Sequence, residues 1–313
     1  MTDHSPTAAS PFRLGSRASP LALAQAEMTA AALMAAHGWP REAIAIVTVT
    51  TSGDRIQDRP LAEVGGKALW TKELDGALFS GEIDCAVHSM KDVETIRPDA
   101  IAIAAMLPRA AVEDRLIGAD SIAALRPGAI VGTSSPRRAA QLKSIRPDIE
   151  TRLLRGNVAR RLASVEAGDF DATLLAAAGL DRLGQASVGS AIPIDTLLPA
   201  VAQGAVGIEC RADDERAVAL ISAINHRPTC RCVMAERALL LALGGSCHSP
   251  IAALAREEGT DIRLRAQILT EDGSQQVSGE ALLPGGATAG ATALAHALLD
   301  QSSPALRALF GTA

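Results

Sequence analysis

Strand-like and helix-like runs alternate along most of this 313-residue chain, and that alternation restricts its fold more than any other feature. FRLGSR (12–17) reads as a strand. Ser19 suits a helix N-cap, Pro20 the first helical position, and Gly38 stops the alanine- and leucine-rich run that ends at His37. AIAIVTVT (43–50) is β-branched and apolar, hence a strand, and TSGDRIQD (51–58) is a loop. WTKELDGALFSG (70–81) predicts a helix, DCAVHSM (84–90) a short strand and GAIVGTS (128–134) another. Ser135 caps the helix that follows. TRLLRGN, VARRLASVEAG, FDATLLAA and AGLDRLG then repeat the order strand, helix, strand, helix. The pattern predicts an α/β fold of mostly parallel sheets covered by helices.

From about residue 228 the order changes. A helix over 229–243, the loop GGSCHSP, two strand-like runs joined by EDGS and a closing helix over about 288–310 form a small α+β unit. The chain exceeds the roughly 100–200 residues usual for one domain. Pro- and Gly-bearing stretches at 107–115 and 197–204 mark two crossings between units, which makes the first domain discontinuous. The expected boundaries are 1–109 with 203–225, then 110–202, then 226–313. No internal repeat at a fixed period is present.

A net charge of -5 and a pI near 5.7 argue against a surface built to hold nucleic acid, so any anion site is local. The N-terminus has no basic start followed by an apolar run, and no uninterrupted apolar stretch reaches about 18 residues. No membrane association is expected, and the cytoplasm is the default compartment. Five scattered cysteines (85, 210, 230, 232, 247) suit reduced thiols.

The densest chemical signal is cationic. Between Thr133 and Leu162 stand seven arginines and Lys143 against Asp148 and Glu150. Arg137 and Arg138 fall in the first turn of a helix, and Arg155-Gly156-Asn157 falls where a strand passes into one; backbone N–H groups favour anions at both places. Arg146, Arg152 and Arg160 read instead as a solvated face making surface ion pairs. Arg17 and Ser19 repeat the anion-binding logic at the first helix, with Gln25 two turns in. In the run His88-Ser89-Met90-Lys91-Asp92, Asp92 is either an acid-base or cation-stabilising group, with Lys91 as a partner, or part of an exposed turn. Cys247, in a glycine-rich loop, is either a reachable nucleophile or inert. Cys230, Cys232, Cys247 and His248 fit no standard zinc spacing, so no metal is expected.

Nine motifs in order carry a resemblance that spans about 240 residues. They are LGSRASPLALAQ (14–25), TSGD (51–54), GKALWTKEL (66–74), AVHSMKDV (86–93), VGTSSPRRAAQL (131–142), LRGNVARRL (154–162), LLAAAGLDRLG (174–184), LPAVAQGAVGIECR (198–211) and ERALLLALGGSCHSPI (236–251). On these the chain resembles the hydroxymethylbilane synthase (porphobilinogen deaminase) family. The resemblance implies two lobes like those of transferrins and periplasmic binding proteins, plus a small third domain. It implies a transferase that deaminates four porphobilinogen molecules and joins them head to tail into hydroxymethylbilane. It also implies a dipyrromethane cofactor held by a thioether on Cys247, with Asp92 stabilising the cationic pyrrole states. Lys91, Ser19, Thr133, Ser135, Arg137, Arg138 and Arg155 match positions that hold the cofactor; Arg17, Gln25, Arg155 and Arg161 match positions that hold substrate. A monomer that passes its product to uroporphyrinogen-III synthase is the implied partnership. The chain departs from the family pattern at Trp70 (for phenylalanine), Glu94 (proline), Pro136 (leucine), Ser246 (glycine) and Ser249 (an aliphatic residue).

Overall fold

A computed structural model describes residues 6–51, 71–246 and 248–310. In chain order it opens with β1 (Phe12–Arg17), α1 (Pro20–His37), β2 (Ile44–Val49), α2 (Lys72–Phe79), β3 (Cys85–Ser89) and β4 (Ile101–Met106). Next come β5 (Asp114–Ile117), β6 (Ile130–Gly132), α3 (Pro136–Ile145), β7 (Glu150–Arg152), α4 (Val158–Glu166), β8 (Ala172–Ala176), α5 (Ala177–Arg182) and β9 (Ser190–Ala191). β10 (Val206–Arg211), α6 (Glu215–Ser222) and α7 (Arg227–Ala242) follow, and β11 (Ile251–Glu258), β12 (Asp261–Leu269), β13 (Gln276–Leu283), α8 (Thr288–Asp300) and α9 (Pro304–Arg307) close the chain.

These elements divide into two compact units. One holds the described residues of Met1–Ile56 and Gly66–Arg109 together with Ala205–Cys230; the other holds Ala110–Gly204 and the described residues of Arg231–Ala313. In the first unit the sheet order is β2-β1-β3-β10-β4, with β1 parallel to both neighbours and β10 antiparallel to both of its own. In the second, β7-β6-β8-β5-β9 repeats that wiring: β6 is parallel to β7 and β8, and β5 is antiparallel to β8 and β9. Each antiparallel strand begins at the end of a stretch read as a crossing, β5 at Asp114 and β10 at Val206. The second unit also carries the antiparallel meander β11-β12-β13, with α8 against β13. The α/β lobes and the small α+β element are thus both present.

The caps explain where the helices begin. Ser19 Oγ accepts from the Ala22 N–H at 3.3 Å, Ser135 Oγ from Arg138 at 3.4 Å and Asn157 Oδ1 from Arg160 at 3.0 Å. Pro20 and Pro136 occupy the first turn, where a missing N–H costs nothing. The closing helix is not continuous. α8 ends at Asp300 and α9 starts at Pro304, because proline lacks the N–H that would bond to residue 300 and Ser303 caps a new turn. Likewise TRLLRGN is extended only as far as Arg152.

β1 shows why the sheets are buried on both faces. Phe12 and Leu14 join α1 and β10 in one core, while Leu74, Leu78, Ile83 and Ala86 build the other face beside Gly15. Among the described residues no helix is long and apolar enough to cross a membrane.

Candidate active site

In the first unit the chain leaves β1 towards β2 on one side and returns to β3 on the other. The carboxyl ends of β1 and β3 therefore flank a crevice, the place where open α/β sheets present ligand-binding groups. Arg17 ends β1, and the N-terminus of α1 opens beside it at Ser19. β3 ends at Ser89 and runs into a single 3-10 turn, Met90–Asp92. Buried Gln25 donates from Nε2 to Ser89 Oγ at 2.7 Å, tying α1 to β3. Arg17, Ser19, Gln25, His88, Ser89 and Asp92 line one pocket of about 60 Å³. Lys91 lies in the same turn as Asp92.

A buried ionic network stands behind this pocket. His88 Nε2 lies 3.1 Å from Glu209 Oε2, an ion-pair contact off the line of a hydrogen bond. Arg97 donates to both Glu209 oxygens at 2.9 Å, to Asp75 at 2.6 Å and to Glu94 at 2.8 Å. Burial pushes the Glu209 carboxyl up, but His88 and Arg97 outweigh it and hold the group down to about 2. Glu94 is accounted for here, since it also accepts from Thr71 Oγ1 at 2.8 Å. Gly207 faces His88 across the β10–β3 ladder, and the Met90 sulfur fills the space where a Cβ would stand. The turn that carries Asp92 thus closes onto a glycine.

The second unit places the predicted cations at the matching crevice, beyond the ends of β6 and β8. Arg137 and Arg138 are buried and share Asp114, at 2.8 and 2.7 Å. Gln203 Nε2 adds a third bond to that carboxylate at 2.9 Å. Arg137 also donates to Gln141 and the Leu198 carbonyl, and Arg138 to the Leu174 carbonyl. Burial pushes Asp114 up, but the two guanidiniums prevail and hold it below the usual carboxylate range. Two cations meet one anion, so one positive charge is in excess, and among the described residues both arginine Nε–H groups are buried without a partner. The Ser135 N–H donates to Thr133 Oγ1 at 3.1 Å, closing the loop before α3. Arg161 fastens α4 to that loop through Ser134 Oγ at 3.4 Å, and also donates to the Gly156 carbonyl ahead of its own helix at 3.0 Å. Gly156 adopts φ +110°, a conformation side chains resist, and Arg155 before it is buried. Arg146 and Arg152, read as surface residues, pair with Asp148 and Glu150 at 2.7 Å each.

The family model described as "Porphobilinogen deaminase, dipyromethane cofactor binding domain" matches residues 12–219, and "Porphobilinogen deaminase, C-terminal domain" matches 230–300. The chain belongs to the porphobilinogen deaminase family. A porphobilinogen deaminase from Sphingopyxis alaskensis is 56% identical over 96% of this chain and 97% of its own length. One from Paracoccus denitrificans is 50% identical over 89% and 90%. Solved structures resemble the chain loosely. A periplasmic solute-binding protein from Desulfovibrio salexigens has a TM-score of 0.41 at 10% identity, covering 70% of this chain and 73% of that one. A periplasmic opine-family binding protein from Silicibacter pomeroyi has a TM-score of 0.36 at 14% identity, covering 68% and 88%.

Dipyrromethane is the cofactor of a porphobilinogen deaminase, and the second-unit residues fit it. A group bearing carboxylates suits two orphaned guanidinium N–H groups, an excess positive charge and the hydroxyls of Thr133 and Ser135 at a helix N-terminus. Cys247, Trp70 and most of the 51–58 loop lie outside the described residues. Ser246 and Ser249 hydrogen-bond each other, the Ser246 N–H donating to Ser249 Oγ at 3.1 Å. Sequence reasoning missed Asp114, Arg97 and Glu209. The available signal was a carboxylate inside an otherwise apolar strand, as in VGIECR, since a buried charge needs a partner.

Proposed function

We propose that this porphobilinogen deaminase uses Asp92 as its working carboxylate while it deaminates porphobilinogen and joins the units head to tail into hydroxymethylbilane. The observation that carries the reading is the convergence of Arg17, Ser19, Gln25 and Asp92 on one pocket at the β1–β3 crevice. A carboxylate fixed there stabilises the positive charge that develops on porphobilinogen as ammonia leaves, with no reorganisation during the step. Arg17 and Gln25, with Arg155 and Arg161, hold the substrate's acidic side arms and orient its reacting carbon.

When bound, dipyrromethane supplies the primer pyrrole to which incoming units are joined. Cys247 anchors it through a thioether, and Lys91, Ser19, Thr133, Ser135, Arg137, Arg138 and Arg155 hold its acetate and propionate groups. As the product lengthens, about a dozen carboxylates accumulate, and guanidinium groups offset them. The proposal extends to a cytoplasmic monomer of three domains (1–109 with 203–225, 110–202, 226–313) that passes its product to uroporphyrinogen-III synthase. Intact mass tests it: the purified chain exceeds its sequence mass by two pyrrole units, Cys247→Ala lacks both that mass and turnover, and Asp92→Asn keeps the mass but loses about 100-fold or more in kcat. An unmodified yet active wild type, or a fully active Asp92→Asn, overturns the reading.

A further inference from the structure

Beside Asp92 stands a second titratable side chain to which the reaction above assigns no task. His88 lies on the strand that leads into the Asp92 turn and lines the same pocket. Its Nε2 faces Glu209 at 3.1 Å, and both side chains are buried. Arg97 grips Glu209 through two hydrogen bonds, and Asp75 and Glu94 hold Arg97 in turn. A carboxylate locked to a guanidinium only accepts, so the ring nitrogen facing it carries a proton. In its neutral form the ring then has its lone pair on Nδ1. Among the described residues the ring has no other hydrogen-bonded or charged partner. An apolar cluster of the same volume would hold the sheet at least as well as these buried charges. What the network adds is a carboxylate held 3.1 Å from Nε2, which favours the proton on that nitrogen.

We propose that His88 is a second substrate-facing residue of the Asp92 pocket, accepting a hydrogen bond at Nδ1 from a pyrrole or aminomethyl N–H, with Glu209 and Arg97 as positioning residues. The inference rests on the reading of that pocket as the porphobilinogen site. It is tested on the full, cofactor-loaded chain labelled with 15N-histidine. Long-range proton–nitrogen spectra at neutral pH show His88, assigned by its loss in His88→Gln, with Nε2 protonated and Nδ1 bare, and added porphobilinogen moves the Nδ1 signal. Glutamine keeps a donor at the Nε2 position but offers nothing at Nδ1. His88→Gln therefore carries the cofactor mass yet turns over at least about tenfold more slowly, while His88→Asn, with a polar atom near the Nδ1 position, recovers part of the rate. Should His88→Gln fail to fold, Glu209→Gln serves instead, and its spectrum gains the Nδ1–H tautomer as the lock is released. A protonated Nδ1 in the wild type, a loaded His88→Gln within about twofold of wild type in kcat and KM, or an unchanged tautomer in Glu209→Gln overturns the proposal. Failure of the underlying reading looks different, because the wild type itself would then lack the added mass and the turnover.

Discussion

Replacing Asp114 with asparagine removes one buried negative charge and leaves two guanidiniums facing each other. Arg137 Nη2 stands 2.8 Å from one carboxylate oxygen and Arg138 Nη2 2.7 Å from the other. Asparagine keeps an acceptor for Arg138 and Gln203 but turns an NH2 group towards Arg137, donor against donor. Breaking a buried ion pair by removing one partner costs about 3–5 kcal/mol, and here two cations lose their counterion together. For a unit of this size the melting midpoint falls by about 6–20 °C. Glu150→Gln is the matched control: it removes the partner of Arg152 from a pair whose side chains are 53% exposed and screened by solvent, so it leaves stability nearly unchanged. Urea unfolding, with hydrogen exchange at the amides of β5, β6 and β8, measures both. The pH dependence has a definite sign. A folded carboxyl held below its unfolded value stabilises above about pH 4, and that contribution disappears as the pH falls through the folded value. Asp114→Asn lacks this acid limb. An Asp114→Asn protein within about 1 kcal/mol of wild type, or no less stable than Glu150→Gln, refutes the assignment of Asp114 as the buried counterion.

Glu209 supplies a second acid limb, in the first unit. Its carboxyl is held down to about 2, so its contribution of about 3 kcal/mol is present above the ordinary glutamate range and fades as the pH drops from about 4.5 towards 2. The stability gap between wild type and Glu209→Gln, followed by circular dichroism, narrows over that interval; a gap independent of pH contradicts the network. Gly207→Ala places a methyl group on the Met90 sulfur beneath the Asp92 turn. It costs about 1–3 kcal/mol by overpacking and lowers kcat more than it raises KM, as steady-state kinetics and denaturant unfolding show together.

The residues that act locally were legible in the sequence. Ser19-Pro20 and Ser135-Pro136 name their helix starts because a cap and a fixed φ are one-residue properties, and Gly38, at φ +69°, ends α1 where expected. Asp92, Arg17, Ser19 and Gln25 converge because the strand order brings the ends of β1 and β3 together. What stayed hidden was pairing across the chain. Asp114 lies 23 and 24 residues from the two arginines it neutralises, and Glu209 lies 112 from Arg97. No window short enough to show periodicity contains both members. The sequence therefore exposed the guanidiniums of Arg137 and Arg138 as an anion patch and concealed that both Nη atoms of each donate inside the protein. Parallel strands were overestimated for the same reason, since β5 and β10 take their direction from where the chain re-enters a sheet.

The matched crevices of the two units carry opposite charge balances. Beyond β1 and β3, Asp75, Glu94, Glu209 and the pocket's own Asp92 stand against Arg97, the pocket's Arg17 and Lys91 of the Asp92 turn. Beyond β6 and β8, Arg137 and Arg138 stand against Asp114 alone. On the reading proposed above, an excess of carboxylates lowers the energy of a cation forming at Asp92, whereas the excess guanidinium charge does the same for acidic side arms. Exchanging the two surroundings would penalise both tasks, because a fixed charge stabilises only the opposite sign. On that reading a chain with a net charge of -5 accommodates an acidic, growing product through the local placement of a few paired charges.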